Sequence, residues 1–111
     1  MIDSYDFGRI VIDGKVYTSD VIIYPDKVYS NWWRKEGHRL QKEDLKEVFD
    51  YAPEILVVGT GAYGSMVVSE ETKREIESRG IKLIVERTEK ACEIYNSIKS
   101  RKAVAALHLT C

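Results

Sequence analysis

The sequence has little cysteine, no excess of either charge and no long hydrophobic run. Its two cysteines, Cys92 and Cys111, form no Cys-x-x-Cys pair. That count excludes a disulfide framework or a zinc ribbon, and two free thiols are expected. The 17 basic and 18 acidic side chains leave a net charge of −1. This removes the broad positive field on which nonspecific nucleic-acid binding depends. No apolar stretch approaches the roughly 20 residues that cross a bilayer. Met1 is not followed by a basic segment and a signal-type apolar core, so a cytoplasmic location is expected. No nucleic acid, no membrane, no metal and no cofactor is expected among the partners.

What the chain does have is the makeup of an ordinary globular protein: 111 residues, 44% hydrophobic and 32% charged. A single α/β domain over residues 1–111 can bury a sufficient core at that size. The first third reads as β-structure. Arg9 to Ile12 and Lys15 to Thr18 flank Asp13-Gly14, a dipeptide suited to a type I′ hairpin. Val21 to Tyr24 reads as a third strand, and Pro25-Asp26-Lys27 turns the chain into a fourth near Val28 to Ser30. Asn31 to Leu40 is less regular.

Beyond that point the period changes. Leu45, Val48, Phe49 and Ala52 share one helical face, and Pro53 ends that helix. Ile55 to Val58 is a short continuous apolar run, the mark of a strand covered on both faces. Ser69 can cap a charged helix that runs to Arg79, with Gly80 as its left-handed terminus. Ile81 to Glu86 is a second such strand. Thr88 can cap a helix whose Ala91, Ile94, Tyr95 and Ile98 form an apolar stripe, and Ala103 to Leu109 is the last strand. The order predicts a three-layer α/β fold: a mixed, mostly parallel central sheet, helices, and an additional N-terminal β-hairpin layer.

Gly59-Thr60-Gly61-Ala62-Tyr63-Gly64 satisfies G-x-G-x-x-G directly after a buried strand, where open α/β sheets bind ligands. Glycines let backbone N–H groups approach an anion, and Glu86 stands where a ribose-binding acid would. Against a dinucleotide fold, Met66, Val67 and Val68 separate the loop from its helix, and the chain lacks room for two mononucleotide halves. The candidate ligand-binding residues are Gly59, Thr60, Gly61, Tyr63, Gly64, Arg87 and Thr88, with a small anionic ligand as the class. A purely structural turn is the competing reading.

A second cluster, Trp32-Trp33-Arg34-Lys35-Glu36-Gly37-His38-Arg39, sets two indoles beside cations and an imidazole. Such groups are enriched at binding hot spots, which makes Trp32, Trp33, Arg34 and His38 a candidate interaction surface for a protein partner. Alternatively one Trp plugs the core while the charges stay solvated. No motif gives His38 or His108 a nucleophile partner, and Cys92 adjoins an apolar stripe. No catalytic residue is assigned.

Trp32 to His38, Val57-Val58-Gly59-Thr60-Gly61 and Thr88-Glu89-Lys90-Ala91-Cys92-Glu93-Ile94-Tyr95-Asn96, in this order, resemble a family of small single-domain proteins, many of unassigned function. It includes archaeal and bacterial proteins, a eukaryotic cytosolic protein associated with adipogenesis, and a mitochondrial assembly factor for respiratory complex I. The resemblance implies a three-layer α/β fold with a mixed sheet and an extra β-layer, and it names no reaction. Residues matching the family pattern are Trp33, Gly37, His38, Gly59, Thr60, Gly61, Thr88, Ala91, Cys92, Tyr95 and Asn96. The sequence departs at Lys99-Ser100-Arg101-Lys102, where relatives often carry an acid-Gly-Arg turn. With no mitochondrial targeting segment before Met1, the complex I role is not expected to transfer. Two functions follow: a noncatalytic cytosolic binding or assembly-type protein, or a small-molecule or anion binder or enzyme using the Gly59-Thr60-Gly61 loop.

Overall fold

The computed structural model describes residues 1–98 and 102–111. The chain begins with three antiparallel strands, β1 (Ile2–Asp6), β2 (Arg9–Ile12) and β3 (Lys15–Tyr17), which pair in that order. Between the last two, Asp13 and Gly14 both have positive φ, +49° and +81°, as a type I′ turn requires. There follow β4 (Val21–Tyr24), β5 (Lys27–Ser30), the short β6 (Arg39–Leu40), a 3-10 turn at Lys42–Leu45 and α1 (Lys46–Tyr51). The remainder is β7 (Ile55–Thr60), β8 (Val67–Val68), α2 (Glu70–Ser78), β9 (Lys82–Glu86), α3 (Thr88–Ser97) and β10 (Ala103–His108).

Five strands form the central sheet in the order β5-β4-β10-β7-β9. β10 runs parallel to β7 and β7 to β9, while β4 is antiparallel to both β10 and β5. Strand alternation sorts the side chains onto two cores. Ile22, Leu56, Val58, Val104 and Ala106 face one way, toward Leu45 of the 3-10 turn, Val48 of α1 and Ile76 of α2. Val21, Ile23, Val57, Ala105 and Leu107 face the other way, toward Ala91 and Cys92 of α3 and toward Ile10 and Ile12 of the N-terminal sheet. Every residue of β10 is buried, which is why its sequence, Ala-Val-Ala-Ala-Leu-His, is almost continuously apolar. The three-layer mixed fold expected from the sequence is the one observed.

Local details differ from the sequence pattern. β1 was not marked by it, because Ile2-Asp3-Ser4-Tyr5-Asp6 is largely polar; long-range bonds hold the strand instead. Asn96 accepts from Ile2 N–H at 2.9 Å and donates to Ile2 O at 2.8 Å, and the Tyr5 hydroxyl donates to Leu109 O at 2.7 Å. The first helix ends at Ala52, whose φ of +57° terminates it one residue before Pro53. Ser69 caps α2 by accepting from Thr72 N–H at 3.2 Å, as expected. Thr88, in contrast, is already helical, with Arg87 in the capping position. Residues 99–101, which carry most of the departure from the family turn, lie outside the described residues.

Candidate functional site

At the carboxyl edge of the central sheet, β7 passes into the glycine loop beside the end of β10, with Thr60 paired to His108. The loop's main-chain donors turn inward. Gly61 N–H donates to Thr88 Oγ1 at 2.8 Å, Ala62 N–H to Thr110 O at 2.6 Å, and Ser65 N–H to Cys111 O at 2.9 Å. Gly64 and Met66 N–H groups reach Gly61 O and Thr60 O. The glycines permit this closeness. A Cβ on Gly61, whose φ is +106°, would collide with the Cys111 carbonyl group. One on Gly59 would sit 2.8 Å from both Leu107 Cδ2 and Thr88 Oγ1.

The hydroxyls of the loop region are similarly engaged: Thr60 donates to Glu86 O at 3.2 Å and Thr88 to His108 O at 2.6 Å. Glu86 thus meets the loop through its main chain. What the region presents outward is Tyr63, 68% exposed, its ring 5.9 Å from that of Phe7, together with the exposed Arg87. Beside them lies a cleft of about 370 Å³ lined by Tyr5, Asp6, Phe7, Ala62, Arg87 and Lys90 among others.

The Trp32–His38 segment lies near the same sheet edge; Trp32 and Arg34 turn into the protein, while Trp33 and residues 35–38 are exposed. Trp32 is buried, and its indole N–H donates to Asp44 O at 3.1 Å. Arg34 is also buried, 4.7 Å over the Trp32 ring, and its Nε and Nη2 both donate to Gly37 O. Trp33, between them, is 76% exposed. It stands on a groove of about 300 Å³ with Tyr29, Lys35, Lys46, Glu43 and Glu47. The His38 side chain is exposed; its main-chain oxygen accepts from Val67 N–H at 2.8 Å.

Beneath the segment is a polar cluster that sequence spacing did not bring together. Asp20 Oδ2 accepts from Arg34 Nη2 and from His108 Nδ1, each at 2.8 Å, and its Oδ1 accepts from Leu109 N–H at 2.8 Å. Burial pushes the Asp20 carboxyl up, but the hydrogen bonds from His108, Leu109 and Arg34 outweigh burial and hold it below the usual carboxylate range. Arg34 Nη1 and His108 Nε2 are buried and meet no partner among the described residues. Each such unmatched group costs about 1–3 kcal/mol. The His38 ring packs edge-on against His108, with centroids 5.7 Å apart. Asp20 is the residue that sequence reasoning missed: a lone acid 14 residues before Arg34 and 88 before His108 carries no local signal.

Elsewhere, Cys92 and Cys111 are free, Cys92 buried and Cys111 exposed. Burial, with help from Glu93 and Glu89, raises the Cys92 thiol to about 12. Among the described residues no group of three or more His, Cys, Asp or Glu side chains could hold a metal ion, and no helix is long and apolar enough to cross a membrane.

The model of a family described as proteins of unknown function, DUF498/DUF598, matches residues 2–108. The chain belongs to that family. Solved structures share the fold. The conserved hypothetical protein PH1505 from Pyrococcus horikoshii is 27% identical, with a TM-score of 0.85 over 100% of this chain and 99% of that one. The Rpa2829 protein from Rhodopseudomonas palustris is 26% identical, with a TM-score of 0.80 over 97% and 82%. An outer membrane protein from Bartonella henselae, 22% identical with a TM-score of 0.83 over 98% and 93%, shares the fold. The DUF498/DUF598 family is one of unknown function.

Proposed function

We propose that this protein is a noncatalytic, cytosolic binding or assembly-type module that presents Trp33 to a protein partner. The observation that carries the reading is the exposure of Trp33, 76%, between two immobilised neighbours, Trp32 and Arg34. An indole held on a fixed backbone loses little conformational freedom on binding, and tryptophan and arginine are the side chains most enriched at interface hot spots. The groove at its foot carries both signs, Lys35 and Lys46 with Glu43 and Glu47, which suits the mixed rim of a protein partner better than a polyanion. Neither nucleic acid nor a membrane surface enters this reading. Binding rather than turnover also accords with the resemblance to assembly-type relatives.

The test is affinity capture from a native extract with the wild-type chain, Trp33→Ala and Tyr63→Ala. A stoichiometric partner should be retained by wild type and Tyr63→Ala. Trp33→Ala should weaken it by about 2 kcal/mol or more while changing stability by less than about 0.5 kcal/mol. A partner indifferent to Trp33→Ala would refute the reading.

A second reading rests on the cleft of about 370 Å³ beside Tyr63 and Phe7, where Arg87 and Lys90, set among Asp6 and Glu89, would meet a small anion against an aromatic wall. Because the loop's amides are engaged, the side chains of Tyr63 and Arg87 would carry that binding. Flat thermal shifts with phosphorylated and carboxylated metabolites would remove it.

A further inference from the structure

The central sheet ends on β9, which pairs with β7 on one side and with no described strand on the other. Its five residues, Lys82-Leu83-Ile84-Val85-Glu86, include no proline, and the pairing with β7 runs through them without a shift of register. Open edges are commonly blunted by proline or a bulge, and this one has neither. Leu83 packs toward the face that carries α1 and α2, and Ile84 toward the face that carries α3. The two charges, Lys82 and Glu86, stand at opposite ends of the strand, both exposed and without an ion-pair partner among the described residues.

Main-chain direction decides what the edge offers. Lys82 N–H donates to Glu54 O at 2.9 Å and Glu86 O accepts from Thr60, so residues 82, 84 and 86 turn their main chain toward β7. That direction alternates along a strand, which leaves the N–H and C=O groups of Leu83 and Val85 facing the open side. A second β9 laid antiparallel meets these groups when Leu83 stands opposite the partner's Val85, with two hydrogen bonds at each of two symmetric places. In the same register Ile84 meets the partner's Ile84, and Lys82 meets the partner's Glu86 on one face of the sheet, once at each end. Of the registers that align the free groups, this is the one that sets the opposite charges against each other. The other edge strand, β5, carries Lys27 and no acid, so it offers itself no such match.

We propose that β9 is a self-recognition edge, through which two copies of this chain pair antiparallel about a two-fold axis at Ile84 and join their five-stranded sheets into one. A two-fold contact uses the same patch twice and therefore needs a self-complementary one, which the order of Lys82 and Glu86 supplies. The charges also select. A lysine on an open edge deters an unrelated strand, and only a strand with an acid at the matching position removes that penalty. Val85, 37% exposed, and Leu83 gain cover from the partner's Leu83 and Val85. β9 lies at the opposite edge of the sheet from β5 and the Trp33 segment that follows it, so the self-contact neither uses nor requires the surface proposed above.

The test is analytical ultracentrifugation of the full chain from micromolar to near-millimolar concentration. Wild type should show a reversible equilibrium of monomer and dimer that salt weakens, because the charge pairs are exposed. Glu86→Lys sets lysine against lysine at both ends and should weaken the dimer about tenfold or more, as should Lys82→Glu by opposing two glutamates. The exchange K82E/E86K should return it to within about threefold of wild type. Both positions are exposed, so folding is not at stake. Ile84→Cys, with Cys111→Ser, should oxidise to an intermolecular disulfide, since opposed residues that share no hydrogen bond have Cα atoms about 4.5 Å apart. Should that variant not fold, the charge series decides alone. A monomer throughout the range, a dimer indifferent to the single reversals, an exchange that fails to restore it, or a folded Ile84→Cys dimer that does not cross-link would each overturn the proposal. None of these outcomes bears on capture through Trp33.

Discussion

The two thiols show how much burial alone decides. Cys92 lies in the core face of α3, and its thiol is raised to about 12 from an ordinary value of 9.0. Only the thiolate is nucleophilic, so a disulfide reagent at neutral pH should titrate one thiol, Cys111, in the native protein and two after denaturation. The same shift fixes a sign. The folded state holds the Cys92 proton more tightly than the unfolded chain does, so this contribution to stability is complete below pH 9 and is lost as the pH rises toward 12. Cys92→Ala should remove the onset near pH 9 from the alkaline unfolding curve. Tyr5, Tyr24 and Tyr95, raised by burial from 10.0 to about 12, should maintain the loss at higher pH.

At the level of elements, the glycine loop acts first as a seat for residues 109–111. Gly61→Ala should destabilise the protein by about 2 kcal/mol or more, combining the left-handed backbone cost with a collision against Cys111. Gly14→Ala, also at positive φ but with nothing near its Cβ, should cost only about 1 kcal/mol. Urea unfolding midpoints would compare them, and equal losses would deny the loop its role in holding the tail. Elements with a local cause were legible in the sequence. β7 showed as Ile-Leu-Val-Val, α2 was delimited by Ser69 and Gly80, and the first turn by Asp13-Gly14. β1 was not legible because Ile2-Asp3-Ser4-Tyr5-Asp6 is largely polar, and the β6–β8 pair was not because each strand is two residues long and its partner lies far along the chain. Thr88 misled for a related reason: its hydroxyl bonds across to Gly61 and His108 rather than along its own helix.

Over the whole molecule, the two chemically distinctive places lie at the carboxyl edge of the parallel strands or near it. One is the Trp33 segment over the Asp20, Arg34 and His108 cluster, and the other the Tyr63 and Phe7 cleft. The sequence marked Trp33, Arg34 and His38 through their crowding, and Tyr63 and Arg87 through the motif beside them. It could not mark the cluster, whose members come from three separated segments and meet only when the sheet is complete. The engagement of the loop's amides was equally hidden, since it depends on where residues 109–111 run.

That completeness depends on one strand. β10 follows every other strand in the chain, yet it lies in the middle of the sheet, as the sole link between the β4–β5 pair and the β7–β9 pair. During synthesis the two halves therefore have no common partner until residues 103–108 have left the ribosome. Until then, hairpin and crossover must wait with open edges, in the state most prone to mispairing. Assembly of this sheet waits on its last strand, and its slow step is a long-range insertion rather than a local zippering.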